Sequence, residues 1–131
     1  MTKNIDKSEV EKFADLSQKW WDPKGEFKPL HIINPLRANF IASRVDLNGK
    51  DILDVGCGGG LLCEALFDHN GNVSGIDAAG PGIEIAKQHA DENNKEVFYR
   101  ATTAEELIDS ESEKYDVVTC LEAVSYTHLR A

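Results

Sequence analysis

The chain has 131 residues, 41% hydrophobic and 28% charged, which suits one soluble globular domain burying roughly two-thirds of its unfolded surface. Gly (10) and Pro (4) are too sparse for a collagen-like, mucin-like or wholly disordered chain, and no apolar run approaches the ~20 residues of a membrane span. The net charge of −9, from 14 Lys+Arg against 23 Asp+Glu, repels phosphate backbones and speaks against nucleic acid as the main partner.

Residues 1–7 read as frayed. Ser8 and Glu11 have capping-box spacing, and Val10, Phe13, Ala14, Ser17, Trp20 and Trp21 recur at intervals of three and four, predicting a helix with one bulky apolar face. Asp22-Pro23-Lys24-Gly25 breaks it, and residues 26–33 read as an irregular, partly apolar loop. Asn34-Pro35 predicts a second helix, with Asn34 as N-cap and Pro35 at the first helical position. Leu36, Phe40, Ser43 and Leu47 line one side of it, and Asn48-Gly49 ends it.

From Lys50 the pattern alternates. Asp51–Val55 is a short strand of buried type, followed by glycines at Gly56–Gly60. A helix carrying Leu61, Leu62, Ala65 and Leu66 runs to the stop signal Asn70-Gly71. Asn72–Asp77 reads as a second strand, Pro81 to about Asn94 as a helix, Glu96–Ala101 as a third strand, 103–108 as a short acidic helix and Tyr115–Leu121 as a fourth strand. Between Gly82 and Asp116 ten acids face four bases, the mark of solvated helix faces and a loop. Alternating strands and helices with short connections predict an α/β, doubly wound parallel sheet behind an N-terminal helical segment.

The glycine cluster is the chemically informative stretch. A glycine-rich turn between a first strand and a helix lets backbone approach a ligand lying over the strand ends. A triphosphate loop would need Lys-Ser/Thr after it, and none follows. A dinucleotide fingerprint counted from Gly56 would need glycine at position 61, which is Leu61. The pattern present, Asp54-x-Gly56-x-Gly58-x-Gly60, suits a ligand without pyrophosphate but with a charged amino-acid end. Asp77 ends the second strand 21 residues after Gly56, where a carboxylate accepts both hydroxyls of an adenosine ribose. A plain tight turn, for the glycines, and a solvated strand end or N-cap, for Asp77, are the bland alternatives. Asp54 either caps loop N–H groups or touches the ligand.

Together these features resemble the class I S-adenosylmethionine-dependent methyltransferases. The run Trp20-Trp21-Asp22, Gly25-Glu26-Phe27-Lys28-Pro29-Leu30-His31 and Ile33-Asn34-Pro35-Leu36-Arg37 resembles the ubiquinone biosynthesis O-methyltransferase family more specifically, as do Asp54–Gly60 and Tyr115–Glu122. The resemblance covers about residues 8–123. It implies S-adenosylmethionine as methyl donor, with Arg37 reaching its carboxylate, Gly56 at the close approach, Asp77 on the ribose and Leu121 in contact through backbone. An exposed helix cation and ordinary strand core are the alternatives for Arg37 and Leu121. The implied reaction methylates a phenolic hydroxyl of a polyprenylated ring, which calls for a base or a divalent metal to lower the phenol's pKa. His31 and Glu122 are the candidate bases, against a solvated or hydrogen-bonded loop histidine. The acid-rich continuation linked to metal in some members is absent after Glu122. The Trp20/Trp21 helix and the Phe27–Ile33 stretch would form a lid over a greasy substrate or simply pack on the sheet.

The expected organisation is therefore 1–48 as helical lid, 49–123 as a partial cofactor-binding domain and 124–131 as a foreign or artefactual tail, with a divergent C-terminus as the other reading. On that view the fourth strand is left on an unpaired edge, and the chain alone should bind cofactor weakly and not turn over. A polar start unlike a secretory signal, and three cysteines with no CxxC pair, predict a cytoplasmic protein. A lipid-tailed substrate further implies peripheral contact with the inner membrane and membership of a biosynthetic complex.

Overall fold

Short apolar runs such as Ile52-Leu53 and Val73 to Ile76 can be buried on both faces only in a parallel sheet covered by helices. The computed structural model, which describes residues 7–111 and 115–120, has that architecture. In chain order it comprises α1 (Lys7–Trp20), α2 (Lys28–Arg44), β1 (Asp51–Val55), α3 (Leu61–Asp68), β2 (Asn72–Asp77), α4 (Gly80–Glu92), β3 (Phe98–Ala101), α5 (Ala104–Glu111) and β4 (Val117–Thr119). The strands pair in parallel in the order β3-β2-β1-β4. The order reverses at β1, so the β1–β4 crevice is a topological switch point, where ligands of open α/β sheets bind. No helix among the described residues is long and apolar enough to cross a membrane.

One sheet face carries the main core. Ile52, Val73 and Tyr99 pack with Leu62, Cys63 and Leu66 of α3 and with Ile83, Ala86 and Ala90 of α4. The other face has a smaller cluster of Leu53, Ile76 and Leu107, and among the described residues α5 is the helix upon it. Phe98 and Val118, which pair with Ser74 and Leu53 on that face, are 75% and 60% exposed. The expected edge position of the fourth strand is thus present among the described residues. A reciprocal cap holds the start of α5: Glu106 N–H donates to Thr103 Oγ1 at 3.2 Å, and Thr103 N–H donates to Glu106 Oε1 at 3.3 Å.

The N-terminal segment departs from expectation at both of its helices. α1 opens at Lys7, so Ser8 lies inside its first turn rather than capping it. Residues 28–33 are helical, because Pro29 presets φ in the first turn of α2. Pro35 therefore sits inside the helix and Asn34 is not its cap. Lacking an N–H for the His31 carbonyl, Pro35 costs about 3 kcal/mol, which the inward stripe of α2 offsets. That stripe is Leu30, His31, Asn34, Arg37, Ala38, Ile41 and Ala42, at helical spacing throughout. The side carrying Leu36, Phe40 and Ser43 is the outward one, with Leu36 and Phe40 65% and 58% exposed. Leu47 is buried but lies beyond the helix, which ends at Arg44.

The two Asn-Gly steps are tied together. Gly49, at φ +76°, donates its N–H to the Asn70 carbonyl at 2.9 Å, and Gly71 donates to the Leu66 carbonyl at 3.2 Å. Asn70 takes φ +69° itself, a left-handed helix terminus that asparagine tolerates.

Candidate functional site

The turn from β1 into α3 is pinned to β2 before any ligand is considered. Gly56 and Cys57 both donate their N–H groups to the Ile76 carbonyl, at 2.8 and 3.0 Å. Gly56 holds φ +76° and Gly60, the N-cap of α3, φ +95°, a region costly for residues with a Cβ. At Gly60 a Cβ would also stand 2.6 Å from Tyr99 Oη.

Asp77 and the loop are one unit rather than two separate anchors. Gly58 N–H donates to Asp77 Oδ2 at 2.9 Å, and Ala79 N–H donates to Oδ1 at 2.8 Å. An ionised carboxylate offers about four acceptor positions, so each oxygen keeps one beyond these two bonds. Two hydroxyls of one sugar would match that pair.

Asp54 is completely buried. Its carboxylate accepts from Thr119 Oγ1 at 2.7 Å and from Cys63 Sγ at 3.6 Å, stitching β1 to β4 and α3. The thiol of Cys63 is pushed well above its ordinary pKa by its hydrogen bond with Cys57, by burial and by the Asp54 charge. Tyr99 is likewise held protonated, mainly by burial. These groups form a buried, hydrogen-bonded floor under the loop.

The lid expectation meets a definite arrangement. The Trp20 indole lies on the glycines: a methyl built on Gly59 would overlap its Nε1 and Cε2, and one on Gly58 would stand 3.3 Å from Cη2 and Cζ2. Phe27 packs on it with ring centroids 4.7 Å apart, and His31 Nε2 donates to the Trp20 carbonyl at 2.9 Å. Asn34 Nδ2 donates to the Leu61 carbonyl at 3.0 Å, fastening α2 to the start of α3. Trp21 points elsewhere, stacked on His89 at 3.5 Å with an interplanar angle of 1°. His89 Nδ1 in turn bonds Glu64 Oε2 at 2.7 Å, and Lys95 Nζ reaches Glu64 and Asp68 at 3.6 and 3.1 Å.

Trp20, Leu30, Gly56, Cys57, Gly58, Leu61, Leu62 and Asp77 enclose a cavity of about 170 Å³. This is below the ~300–1,000 Å³ of usual small-molecule sites, so a nucleoside ligand must extend past it over the strand ends. Gly56 and Asp77 are thus brought together. Arg37 stands one turn beyond Asn34 on the inward face of α2 and is not among the cavity-lining residues. His31 fastens α2 to the end of α1, with Nε2 engaged by the Trp20 carbonyl. Leu121 and Glu122 lie outside the described residues. Among the described residues no three His, Cys, Asp or Glu side chains group as metal ligands. Sequence reasoning missed the buried Asp54–Thr119 pair. It also missed the seat of Trp20 on Gly58 and Gly59, for which a tryptophan at the end of an amphipathic helix gave no pointer.

The methyltransferase-domain family matches residues 52–131. Ubiquinone biosynthesis O-methyltransferases of Hahella chejuensis and Saccharophagus degradans are each 50% identical over 123 residues, 94% of this chain and 52% of theirs. The protein of that name from Coxiella burnetii is 44% identical over the same shares. The chain thus spans about half the length of the curated relatives it matches. Magnesium protoporphyrin IX methyltransferase from Synechocystis PCC 6803, solved with bound S-adenosylmethionine, shares the fold with a TM-score of 0.65 at 19% identity, over 92% of this chain and 64% of that one. The YcgJ protein of Bacillus subtilis does so at 0.59 and 25% identity, over 66% and 37%. Because the family match begins at Ile52 in β1 and takes in all four strands, the chain belongs to the methyltransferase-domain family.

Proposed function

We propose that this chain is the cofactor-binding portion of an S-adenosylmethionine-dependent O-methyltransferase of ubiquinone biosynthesis, acting on a phenolic hydroxyl of a polyprenylated ring. The observation that carries the reading is Asp77, which holds the glycine loop through Gly58 and keeps one acceptor position per oxygen at the cavity. The names of the relatives at 44–50% identity supply the substrate class, and a protein of their length is the one expected to turn over.

The residues present fit the cofactor. Asp77 would accept the ribose hydroxyls, Gly56 would let the ligand approach the backbone, and Arg37 would offset the charge of its carboxylate. S-adenosylmethionine, when bound, supplies a methyl group activated by an adjacent sulfonium. Trp20 and Leu30 wall the cavity and exclude water from the reacting pair. The phenol's proton must pass to a base. His31 retains Nδ1 as its one acceptor nitrogen while Nε2 serves Trp20, and Glu122 is the second candidate.

Titration calorimetry with S-adenosylhomocysteine and with NAD tests the ligand class. Saturable binding of the first alone, weakened at least tenfold by Asp77→Ala in a sample that still melts cooperatively, is the expected result. A folded, monodisperse sample that binds neither would overturn the reading. For the substrate, methyl transfer to a demethylated polyprenyl quinol should exceed transfer to a tail-less catechol in a protein of the relatives' length; equal rates would remove the polyprenyl part.

A cytoplasmic location with peripheral contact at the inner membrane, within a biosynthetic complex, belongs to the same proposal. The outward side of α2 supports the contact, with Ile32, Ile33, Leu36 and Phe40 exposed together. At a net charge of −9 zwitterionic vesicles should be bound at least as well as anionic ones. No co-flotation with either would dismiss membrane contact.

A further inference from the structure

The cavity at Asp77 is built between two bodies. Gly56, Gly58, Leu62 and Asp77 belong to the β1–α3–β2 unit, whereas Trp20 and Leu30 come from α1 and α2. Asn34, bonded to the Leu61 carbonyl, and Ala38, in the main core, fasten α2 to that unit. α1 is not packed along its length. Of its described side chains none is buried, and Ser17 and Trp20 are the half-buried ones. A helix with so few buried contacts opens at small cost, so its hold on the molecule lies at its C-terminal end.

Two adjacent rings divide the work there. Trp20 roofs the cavity, its indole lying on Gly58, whose N–H is bonded to Asp77. Trp21 does not line the cavity. It stacks flat on His89 of α4 at 3.5 Å. The His89 ring is held in that plane by Nδ1, which donates to Glu64 Oε2 at 2.7 Å. Glu64 is itself buried in the first turn of α3, with Lys95 Nζ 3.6 Å away. The contacts therefore run in a ring, from α3 through His89 and Trp21 to Trp20 and the glycine loop that enters α3. A ligand on Asp77 lies beneath the indole, and about 170 Å³ is too little for a nucleoside to pass while the indole is down. We propose that His89 is a positioning residue: by stacking on Trp21 it latches the end of α1 and sets how often the Trp20 roof lifts to admit and release the adenosyl ligand. This rests on the S-adenosylmethionine reading above. The latch lies outside the cavity and holds the roof alike over an empty and a filled site. Loosening it speeds entry and exit by the same factor and leaves Kd unchanged.

The test is surface-plasmon kinetics of S-adenosylhomocysteine on the unchanged chain, His89→Ala and His89→Phe. Loss of an aromatic stack predicts that both rate constants rise about three- to tenfold in His89→Ala, with Kd within about twofold. His89→Phe, which restores a flat ring, should return most of the way. Unchanged rates overturn the proposal, as does faster dissociation with unaltered association, the result of a residue that merely supports the bound form. Should His89→Ala fail to fold, Trp21→Leu, which leaves the Glu64 bond in place, is held to the same paired rise. Amide hydrogen exchange reads the latch without ligand. The Trp21 N–H, bonded to the Ser17 carbonyl at 3.3 Å, should exchange far faster than the amides of β2, and faster still in His89→Ala. A Trp21 amide as slow as those of β2, or one that the variant leaves unmoved, overturns the proposal. An unchanged chain that does not bind S-adenosylhomocysteine refutes the adenosyl reading, and the exchange result then decides the latch by itself.

Discussion

Gly59→Ala should destabilise the chain for one reason, the seat of Trp20, and the structure lets the size of the effect be worked out. Unlike Gly58 and Gly60, Gly59 does not sit in the left-handed region, so alanine meets no backbone strain there. Its nearest obstacles all belong to Trp20, with Cδ1 at 2.5 Å from the new methyl. Carbon atoms need about 3.5–4.0 Å, so the indole must retreat by roughly 1 Å or more. Phe27 and the His31 bond confine it. Overpacking of this kind costs about 1–3 kcal/mol, and complete expulsion of the ring would approach the ~3–5 kcal/mol of a buried aromatic truncation. For a domain of this size about 2 kcal/mol lowers Tm by roughly 6–10 °C. In a Trp20→Ala background the obstacle is gone, and the same change should stabilise by about 0.4–1 kcal/mol through the unfolded chain. Urea and thermal unfolding of the four proteins, followed by circular dichroism, gives the coupling directly. Equal destabilisation in both backgrounds would refute the placement of Trp20 on the loop.

Thr119→Val removes the O–H donated to the buried Asp54 carboxylate at 2.7 Å and should cost about 1–3 kcal/mol in urea unfolding, whereas Thr119→Ser should recover most of it. A Trp21→Ala, His89→Ala double-mutant cycle should show coupling of about 0.5–1.5 kcal/mol for their stacked rings; additivity would deny the stack. Under native conditions iodoacetamide should label the exposed Cys120 and spare Cys57 and Cys63 until the chain unfolds, as mass spectrometry would show. Partial desolvation and the Asp54 charge hold the Cys120 thiol above its ordinary pKa, so its labelling should be slower than that of a free thiol and accelerate as pH rises. Glu106 is held below the usual glutamate range by donors from Thr102 and the Thr103 backbone. Its contribution to stability is present above the unfolded-state pKa and is lost as pH falls through the folded value. Thr102→Ala should raise that folded value, as a carboxylate titration by NMR would register.

The sheet was legible because its signals come from burial on both faces. Asp51–Val55 and Asn72–Asp77 have the expected bounds, and Asn70-Gly71 ends α3 through the left-handed φ that asparagine accepts. The second helix was misread because Asn34-Pro35 is a strong local start signal, and local chemistry does not reveal that a helix already under way continues through it. Tertiary contact decided the matter: the Asn34 side chain, read as a cap, reaches 27 residues along the chain to Leu61. The same holds for the site. Spacing located Gly56 and Asp77, but that Asp77 bonds Gly58, and that Trp20 rather than a ligand accounts for the small residues at Gly58 and Gly59, depends on how separate elements meet.

The paired Asn-Gly turns bear on how the protein ages. An asparagine before glycine deamidates when the glycine's backbone nitrogen attacks the side-chain amide carbon and closes a succinimide. Here both nitrogens that would attack are engaged as donors, Gly49 to Asn70 and Gly71 to Leu66. Ring closure at either step first requires its hydrogen bond to break and the turn to open. Since Gly49 leans on the Asn70 carbonyl, damage at Asn70 would also loosen the turn that protects Asn48. Chemical wear at these two sites should therefore track local unfolding rather than surface exposure, with the first lesion hastening the second.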